Sequence, residues 1–160
     1  MNKTLLLSTL LALAAGEAVA QGGMSDEERM QRVERLLAAT NPLEAGDSVW
    51  IEELTYIEVR DRVAGGATTA IISTGGIEEN GPYLATGKHN YIMKGVCPAL
   101  ARALGNALCA PIVGFVPEGN LDPPSGAMHF PGTFGVRTET YEMLLEDIAT
   151  SLKLDGFTDI

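Results

Sequence analysis

The sequence predicts a three-layer α/β/α fold with a mostly parallel sheet. Two largely apolar segments, residues 67–73 and 107–113, are typical of parallel strands that are covered on both faces. A helical pattern lies between them, so the three segments form one β–α–β unit with an expected right-handed crossover. The length of 160 residues and the apolar content of 46% suit a single globular domain.

The first 20 residues have the features of a secretory signal peptide. Lys3 supplies a positive charge, and residues 5–15 form an apolar core that is too short to span a bilayer. Small residues at Ala18 and Ala20 form a cleavage site. A membrane anchor is the alternative. Cleavage after Ala20 would give a periplasmic or secreted protein without a stable membrane anchor.

Residues 21–47 are predicted to form an N-terminal helix and a linker. Ser25 and Glu28 have the spacing of a capping box, in which each side chain binds the other residue's main-chain N–H. The helix has one apolar face, formed by Met30, Val33, Leu36 and Leu37. Residues 48–160 then form the main domain.

Three further helices are predicted within the main domain. Thr55 and Glu58 make a second capping box before the first strand, Asn90 is expected to cap the crossover helix, and Thr138 is expected to cap the last one. Pro98 should kink the crossover helix. Its expected buried face consists of Met93, Val96, Cys97, Leu100 and Leu104.

The end of the sequence contains a long connection and a short strand. Residues 114–136 are rich in glycine and proline and contain three phenylalanines, which favours an ordered, functional loop. Residues 157–160 begin another strand.

Cys97 and Cys109 are the only two cysteines. Export would allow a disulfide between them. Both lie in apolar segments, and free cysteine is among the most buried residue types, so two buried thiols are the favoured interpretation.

The segment of residues 74–90 carries most of the candidate chemistry. It is a glycine-rich turn from the first strand to the crossover helix, and in open α/β sheets ligands bind at this edge. Its ionisable residues are Glu78, Glu79, Lys88 and His89.

This turn resembles a segment of the creatininase (creatinine amidohydrolase) family, of the form Gly-x-x-Glu-x-His-Gly-Pro-x-Leu-x-x-Gly-x-Asp. The matching residues at the same spacing are Glu78, Gly81, Pro82, Leu84 and Gly87. A second family-like segment occupies residues 130–133, and the resemblance covers residues 49–160. It implies homo-oligomers and a domain of which this chain is the N-terminal two-thirds, ending after the third helix. In the family, the next strand leads to a Gly-His-Gly-Gly-Asn-like turn with further metal-site residues.

The resemblance also implies a site for two divalent metal ions, zinc or manganese, which activate water to attack an amide. Glu78 keeps the family's carboxylate ligand, Asn80 stands where the family has His, and His89 stands where it has Asp. An amide oxygen is a weak ligand for zinc-like ions, and Lys88 adds a positive charge that repels a cation. Glu78, Asn80 and His89 are the candidate ligands.

Four other residues have candidate roles beside the metal. Glu79 is the candidate general base. Tyr83, Lys88 and His129 are the candidate substrate-binding residues. Packing is the expected role of Trp50, and Glu118 and Asp122 are expected to be solvated loop charges.

Two function classes follow from these observations. The first is an exported metal-dependent amidohydrolase that cleaves a C–N bond in a small cyclic or linear amide. The second is a non-catalytic binding or assembly module with a degenerate metal site. The net charge of −10 argues against a nucleic-acid partner and against anionic membrane surfaces.

Overall fold

The computed structural model describes residues 23–42, 44 and 46–160. Its regular elements are the helices α1 (Asp26–Leu37), α2 (Tyr56–Ala64), α3 (Lys88–Leu104) and α4 (Thr138–Leu154) and the strands β1 (Thr69–Ile71) and β2 (Ala107–Cys109). Two short 3-10 helices cover Ile51–Glu53 and Gly126–His129. The chain divides into two compact units, at Thr40 and Asn41.

The first unit contains α1. Its predicted capping box is confirmed, because Ser25 Oγ accepts from Glu28 N at 3.2 Å and Glu28 Oε2 accepts from Ser25 N at 2.8 Å. The predicted apolar face of α1 is exposed, and none of its residues is buried. The predicted signal peptide lies outside the described residues. Within the described part, no helix has the length and apolar character that crossing a membrane requires.

The second unit is built around a parallel sheet, as predicted. β1 and β2 pair in parallel, with Ala70 opposite Leu108. Single parallel bridges add one segment on each side, Trp50 beside Cys109 and Asp159 beside Thr69. Four parallel segments therefore lie side by side, and the two regular strands are the inner ones.

Both strands are shorter than predicted, at three residues each. The pairing resumes further on, where Thr74 and Val113 form a parallel bridge and Gly75 N donates to Val113 O at 2.9 Å. Pro111 lies between the paired stretches, and proline has no N–H to give to a sheet. The interruption therefore follows from the sequence of the second strand.

The two cysteines correct the favoured interpretation of free thiols. Both are buried, but a disulfide joins them, with their Cα atoms 6.1 Å apart. Packing of α3 on β2 brings Cys97 over Cys109, within the range that a disulfide can bridge. The sheet and the crossover helix are therefore covalently linked.

The buried face of α3 also differs from the prediction. Cys97 and Ala101 are its buried residues, whereas Val96, Leu100 and Leu104 are exposed. Cys97 and Ala101 are small and lie four positions apart, so they share one face that can approach the sheet closely. The helix continues through Pro98 and ends at Leu104, followed by Gly105 in the left-handed conformation.

Helix starts were predicted with mixed success. The capping box of Thr55 and Glu58 at α2 is confirmed. The predicted caps at Asn90 and Thr138 are wrong, because α3 begins after Gly87 and α4 after Arg137. Asn90 instead lies in the first turn of α3, where its side chain has another partner.

Candidate functional site

Three segments meet at the edge of the sheet where β1 and β2 end. Two hydrogen bonds join the turn of residues 74–90 to the long connection. Phe134 N donates to Ile77 O at 2.9 Å, and Glu79 N donates to Thr133 Oγ1 at 3.3 Å. Val136 N donates to Val116 O at 3.2 Å, which joins the two ends of the long connection. The two family-like segments are thus in contact, and the connection is ordered, as predicted.

Asn90 ties the site to the sheet. Its Oδ1 accepts from Gly76 N at 3.0 Å. It also packs so closely on Gly75 that a Cβ there would lie 1.8 Å from Oδ1 and 3.1 Å from the Asn90 Cα. Gly75 is therefore required for this approach, and the start of the turn is held against the start of α3.

Glu78 and His89 form the central pair of the site. Glu78 Oε1 lies 2.9 Å from His89 Nε2, and the two side chains are 29% and 35% exposed. With Glu78 ionised, Nε2 carries the proton and donates it. The exposure leaves both groups accessible to a ligand. The structure brings these two candidate ligands together, and their binding of a metal remains a prediction.

Asn80 and Lys88 form a second pair in the same turn. Lys88 Nζ donates to Asn80 Oδ1 at 2.5 Å, and Asn80 Nδ2 donates to the main-chain oxygen of Glu78 at 2.9 Å. The amide oxygen that would have to bind a metal therefore faces an ammonium group. Asn80 does not fit the role of a ligand in this arrangement.

The remaining candidates are spread around this turn. Glu79 Oε1 accepts from Gly81 N at 2.5 Å, so its carboxylate is held by the main chain of its own turn. Tyr83 is 96% exposed, and His129 is exposed at the end of a 3-10 helix. In the part of the chain that the structure describes, no hydrogen bond or ion pair joins His129 to Glu78 or His89. Their roles remain predictions.

Glu118 is a site residue that the sequence reasoning missed. It was expected to be solvated, but it is partly buried, and its Oε1 lies so close to Gly76 in the turn that a Cβ there would be 2.4 Å away. Burial, followed by the hydrogen bond and the charge of Glu78, raises the pKa of Glu118 to about 7. The available signal was its place after β2, because the carboxyl ends of parallel strands meet at one edge of a sheet.

A cavity of about 730 Å³ lies beside the site. It is bordered by the first turn of α3 and by the segment after β2, and its lining includes Trp50, Asn90, Tyr91 and Lys94 but neither Glu78 nor His89. Trp50 also packs against the core, as predicted. The candidate ligands therefore lie outside the lining of this cavity.

The fit of a metal ion can be judged from the donor groups. Among residues 23–42, 44 and 46–160, no three His, Cys, Asp or Glu side chains converge as a metal-binding group. Glu78 and His89 supply one carboxylate oxygen and one imidazole nitrogen, which are both suitable for zinc. The described residues thus provide two of the ligands that an ion needs.

Comparisons with known proteins agree with this fold. The creatininase family, described as creatinine amidohydrolase, matches residues 52–160. Creatinine amidohydrolase of Pseudomonas putida is 28% identical over 109 residues, which are 68% of this chain and 41% of that protein.

Solved creatininase structures are also similar. A crystal structure of creatinine amidohydrolase has a TM-score of 0.62 at 28% identity, covering 69% of this chain and 42% of that one. A structure described as creatininase Mn gives 0.63 at 27% identity, covering 71% and 43%. A mutant creatininase described as the Zn–Zn type gives 0.61 at 28% identity, covering 69% and 42%.

The fold is therefore the α/β fold of creatininases, with the acid–imidazole pair at the carboxyl edge of its parallel sheet. The chain belongs to the creatininase family. It spans about two-fifths of the length of the relatives that it matches.

Proposed function

We propose that this protein is a metal-dependent amidohydrolase of the creatininase type, which cleaves a C–N amide bond in a small cyclic or linear amide. The observation that carries the proposal is the Glu78–His89 pair, 2.9 Å apart at the carboxyl edge of the sheet. It lies inside the part of the chain that the family matches, and the relatives in that family are named creatinine amidohydrolase.

The proposed cofactor is one divalent ion, zinc or manganese, held by Glu78 and His89. Creatininase structures described as Mn and Zn–Zn forms support this choice of metals. A bound ion of this kind lowers the pKa of water and polarises a carbonyl. We propose that Asn80 does not bind this ion, because Lys88 Nζ donates to its oxygen. We therefore propose a single ion, bound more weakly than by the full family ligand set.

The other residues of the turn would act on the substrate. Glu79 is the proposed general base, and the N–H of Gly81 holds its carboxylate in place. Tyr83, Lys88 and His129 are proposed to line the substrate pocket. The exposed ring of Tyr83 offers an apolar face to a small amide.

Metal analysis tests the proposal. Protein purified from its native host should contain about one zinc or manganese ion per chain by mass spectrometry, and Glu78→Gln should contain none, because a neutral amide is a much weaker ligand. Glu142→Gln, which removes an exposed carboxylate on α4, is the matched control and should keep the metal. Wild-type protein without stoichiometric metal would refute the proposal, and so would metal that remains in Glu78→Gln.

A non-catalytic binding or assembly module is the second candidate function. The Asn80–Lys88 pair favours it, because an ammonium group binds the side chain that stands where the family has a His ligand. The two functions differ in turnover. Release of product from small cyclic amides by metal-loaded protein supports the enzyme, and metal-free protein without turnover supports the module.

Export to the periplasm or outside the cell is part of the proposal. The Cys97–Cys109 disulfide supports it, because disulfides persist in oxidising compartments. N-terminal sequencing of the native protein should begin at Gln21. A sequence that begins at Met1 would contradict export.

Assembly into homo-oligomers is also proposed. Support comes from an exposed apolar stripe along α3, formed by Ile92, Val96, Leu100 and Leu104. Light scattering at several concentrations should give a mass that is a multiple of the chain mass. A monomer at all concentrations would contradict it.

A further inference from the structure

The side chain of Asn90 lies between two glycines at the edge of the sheet. An added Cβ at Gly75 would lie 1.8 Å from Asn90 Oδ1, and one at Gly114 would lie 3.1 Å from Asn90 Nδ2. These glycines directly follow Thr74 and Val113, which form a parallel bridge. The amide group is therefore confined on two sides, at the point where both strand segments end.

The hydrogen bond from Gly76 N to Asn90 Oδ1 encloses the candidate ligands in the sequence. Its two residues are 14 positions apart, and within that span Glu78 follows Gly76 by two residues and His89 immediately precedes Asn90. Further inside the turn, Glu78 N donates to Thr86 O at 3.0 Å. The contact between Glu78 and His89 thus lies between an outer and an inner hydrogen bond of the same turn.

Closing a flexible loop costs conformational entropy, and the cost is smaller when a bond beside it already holds the two ends together. We propose that Asn90 is a positioning residue, whose bond to Gly76 N closes the turn and holds Glu78 and His89 2.9 Å apart before an ion binds. The inference rests on the proposed function and deepens it, since Glu78 and His89 are its candidate ligands.

The first test needs no metal. Hydrogen exchange of main-chain amides, followed by NMR, reports the two hydrogen bonds at the N–H groups of Gly76 and Glu78. Wild-type protein should protect both groups. Asn90→Ala removes the acceptor of the outer bond, so Gly76 should exchange several-fold faster. Glu78 should also exchange faster, because the inner bond then closes a loop whose ends are free. Unchanged protection of Glu78 in Asn90→Ala would overturn the inference.

Two variants separate this role from general damage. Asn90→Asp keeps an acceptor oxygen, and a carboxylate is favoured in the first turn of a helix, so the protection of Gly76 and Glu78 should return. Asn106→Ala is the matched control, because Asn106 Nδ2 also donates to the first strand, to Thr69 Oγ1 at 3.1 Å, but at the opposite edge of the sheet. Asn90→Asp that exchanges like Asn90→Ala would overturn the inference, and so would equal effects of Asn106→Ala and Asn90→Ala.

Gly75→Ala approaches the same bond from the other side, and it decides together with Asn90→Asp if Asn90→Ala does not fold. Its methyl group should displace Asn90 Oδ1, so Gly76 and Glu78 should lose protection. In an Asn90→Ala background the displaced group is absent, and Gly75→Ala should add little. Gly95→Ala in α3 is the matched control, because an added Cβ there has no atom within 4 Å. Additive effects, or equal effects of Gly75→Ala and Gly95→Ala, would overturn the inference.

A metal titration gives the functional consequence. Loss of a residue that orients a metal ligand typically lowers affinity by about 10–100-fold. Calorimetric titration with zinc or manganese should show such a loss for Asn90→Ala and none for Asn106→Ala or Gly95→Ala. Absence of metal binding in wild-type protein would refute the proposed function but not the role of Asn90, which hydrogen exchange in metal-free protein decides. If wild-type protein binds the ion and Asn90→Ala binds it equally tightly, the role is refuted.

Discussion

The Glu78–His89 and Asn80–Lys88 pairs connect the same two parts of the molecule, yet they differ in chemistry. Each joins the beginning of the turn after β1 to the first turn of α3, across 11 and 8 residues. Glu78 and His89 offer oxygen and nitrogen donors without a cation. Asn80 already faces a cation, because the Lys88 ammonium group donates to its side-chain oxygen. Both pairs are held by the same stretch of backbone, so the residue types determine which pair is suited to bind an added metal ion.

The largest difference is expected between His89→Ala and Asn80→Ala. Removing His89 takes away a proposed direct ligand and should lower zinc or manganese affinity by more than the ~10–100-fold typical of a residue that only orients a ligand. Removing Asn80 should have a smaller effect, because its oxygen faces Lys88 and not the ion. Calorimetric titration of both variants measures the two losses. Equal losses would break the distinction between the two pairs.

Lys88→Met tests the same difference between the two pairs, but here metal affinity should rise instead of falling. It keeps the length of the side chain and removes the charge, so a divalent ion on Glu78 and His89 should bind more tightly, by ~1 kcal/mol or about fivefold at low salt. Lys94→Met is the control, because Lys94 lies over the ring of Tyr91, 5.7 Å from its centroid. Affinity that is unchanged or lower in Lys88→Met would show that its ammonium does not oppose the ion.

The smallest effect concerns pH and Glu118 in metal-free protein. Its pKa is raised from 4.5 to about 7, so the folded protein holds this proton more tightly than the unfolded chain does. The stability that this provides is present below pH 4.5 and is lost as the pH rises to about 7. The ionisable group that contributes to this shift is Glu78.

Urea unfolding at several pH values measures this dependence. The free energy of unfolding of Glu118→Gln should fall less between pH 4.5 and 7 than that of wild-type protein. The difference should be small, because the group is only partly buried and water screens its interactions. Parallel pH profiles of the two proteins would contradict the raised pKa.

The sequence predicted the fold best where the signals are local. The capping boxes at Ser25 and Thr55 involve residues three apart, so they form wherever the helix does. The parallel sheet followed from continuous apolar segments. The Asn90 cap failed because a residue that can cap a helix can also bind the main chain elsewhere, and Gly76 N competes for its side chain.

The site follows the same division. Glu78 and His89 lie in one turn, and their approach was expected because the family resemblance makes both of them candidate ligands of one metal site. Glu118 lies 40 residues after Glu78, and its approach depends on how residues 114–136 return along the sheet edge. The disulfide was left open for a similar reason, because a spacing of 12 residues does not tell how a helix is rotated on a strand.

The rotation of α3 on the sheet also affects the N-terminal end of this helix. Cys97 follows His89 by eight residues, which is about 12 Å along the axis of an α-helix. The disulfide to β2 prevents the helix from rotating about its axis on the sheet. Each side chain along the helix therefore points in a fixed direction around that axis. The disulfide therefore sets the direction in which the Lys88 and His89 side chains point from the first turn of α3, although it lies about two turns further along the helix.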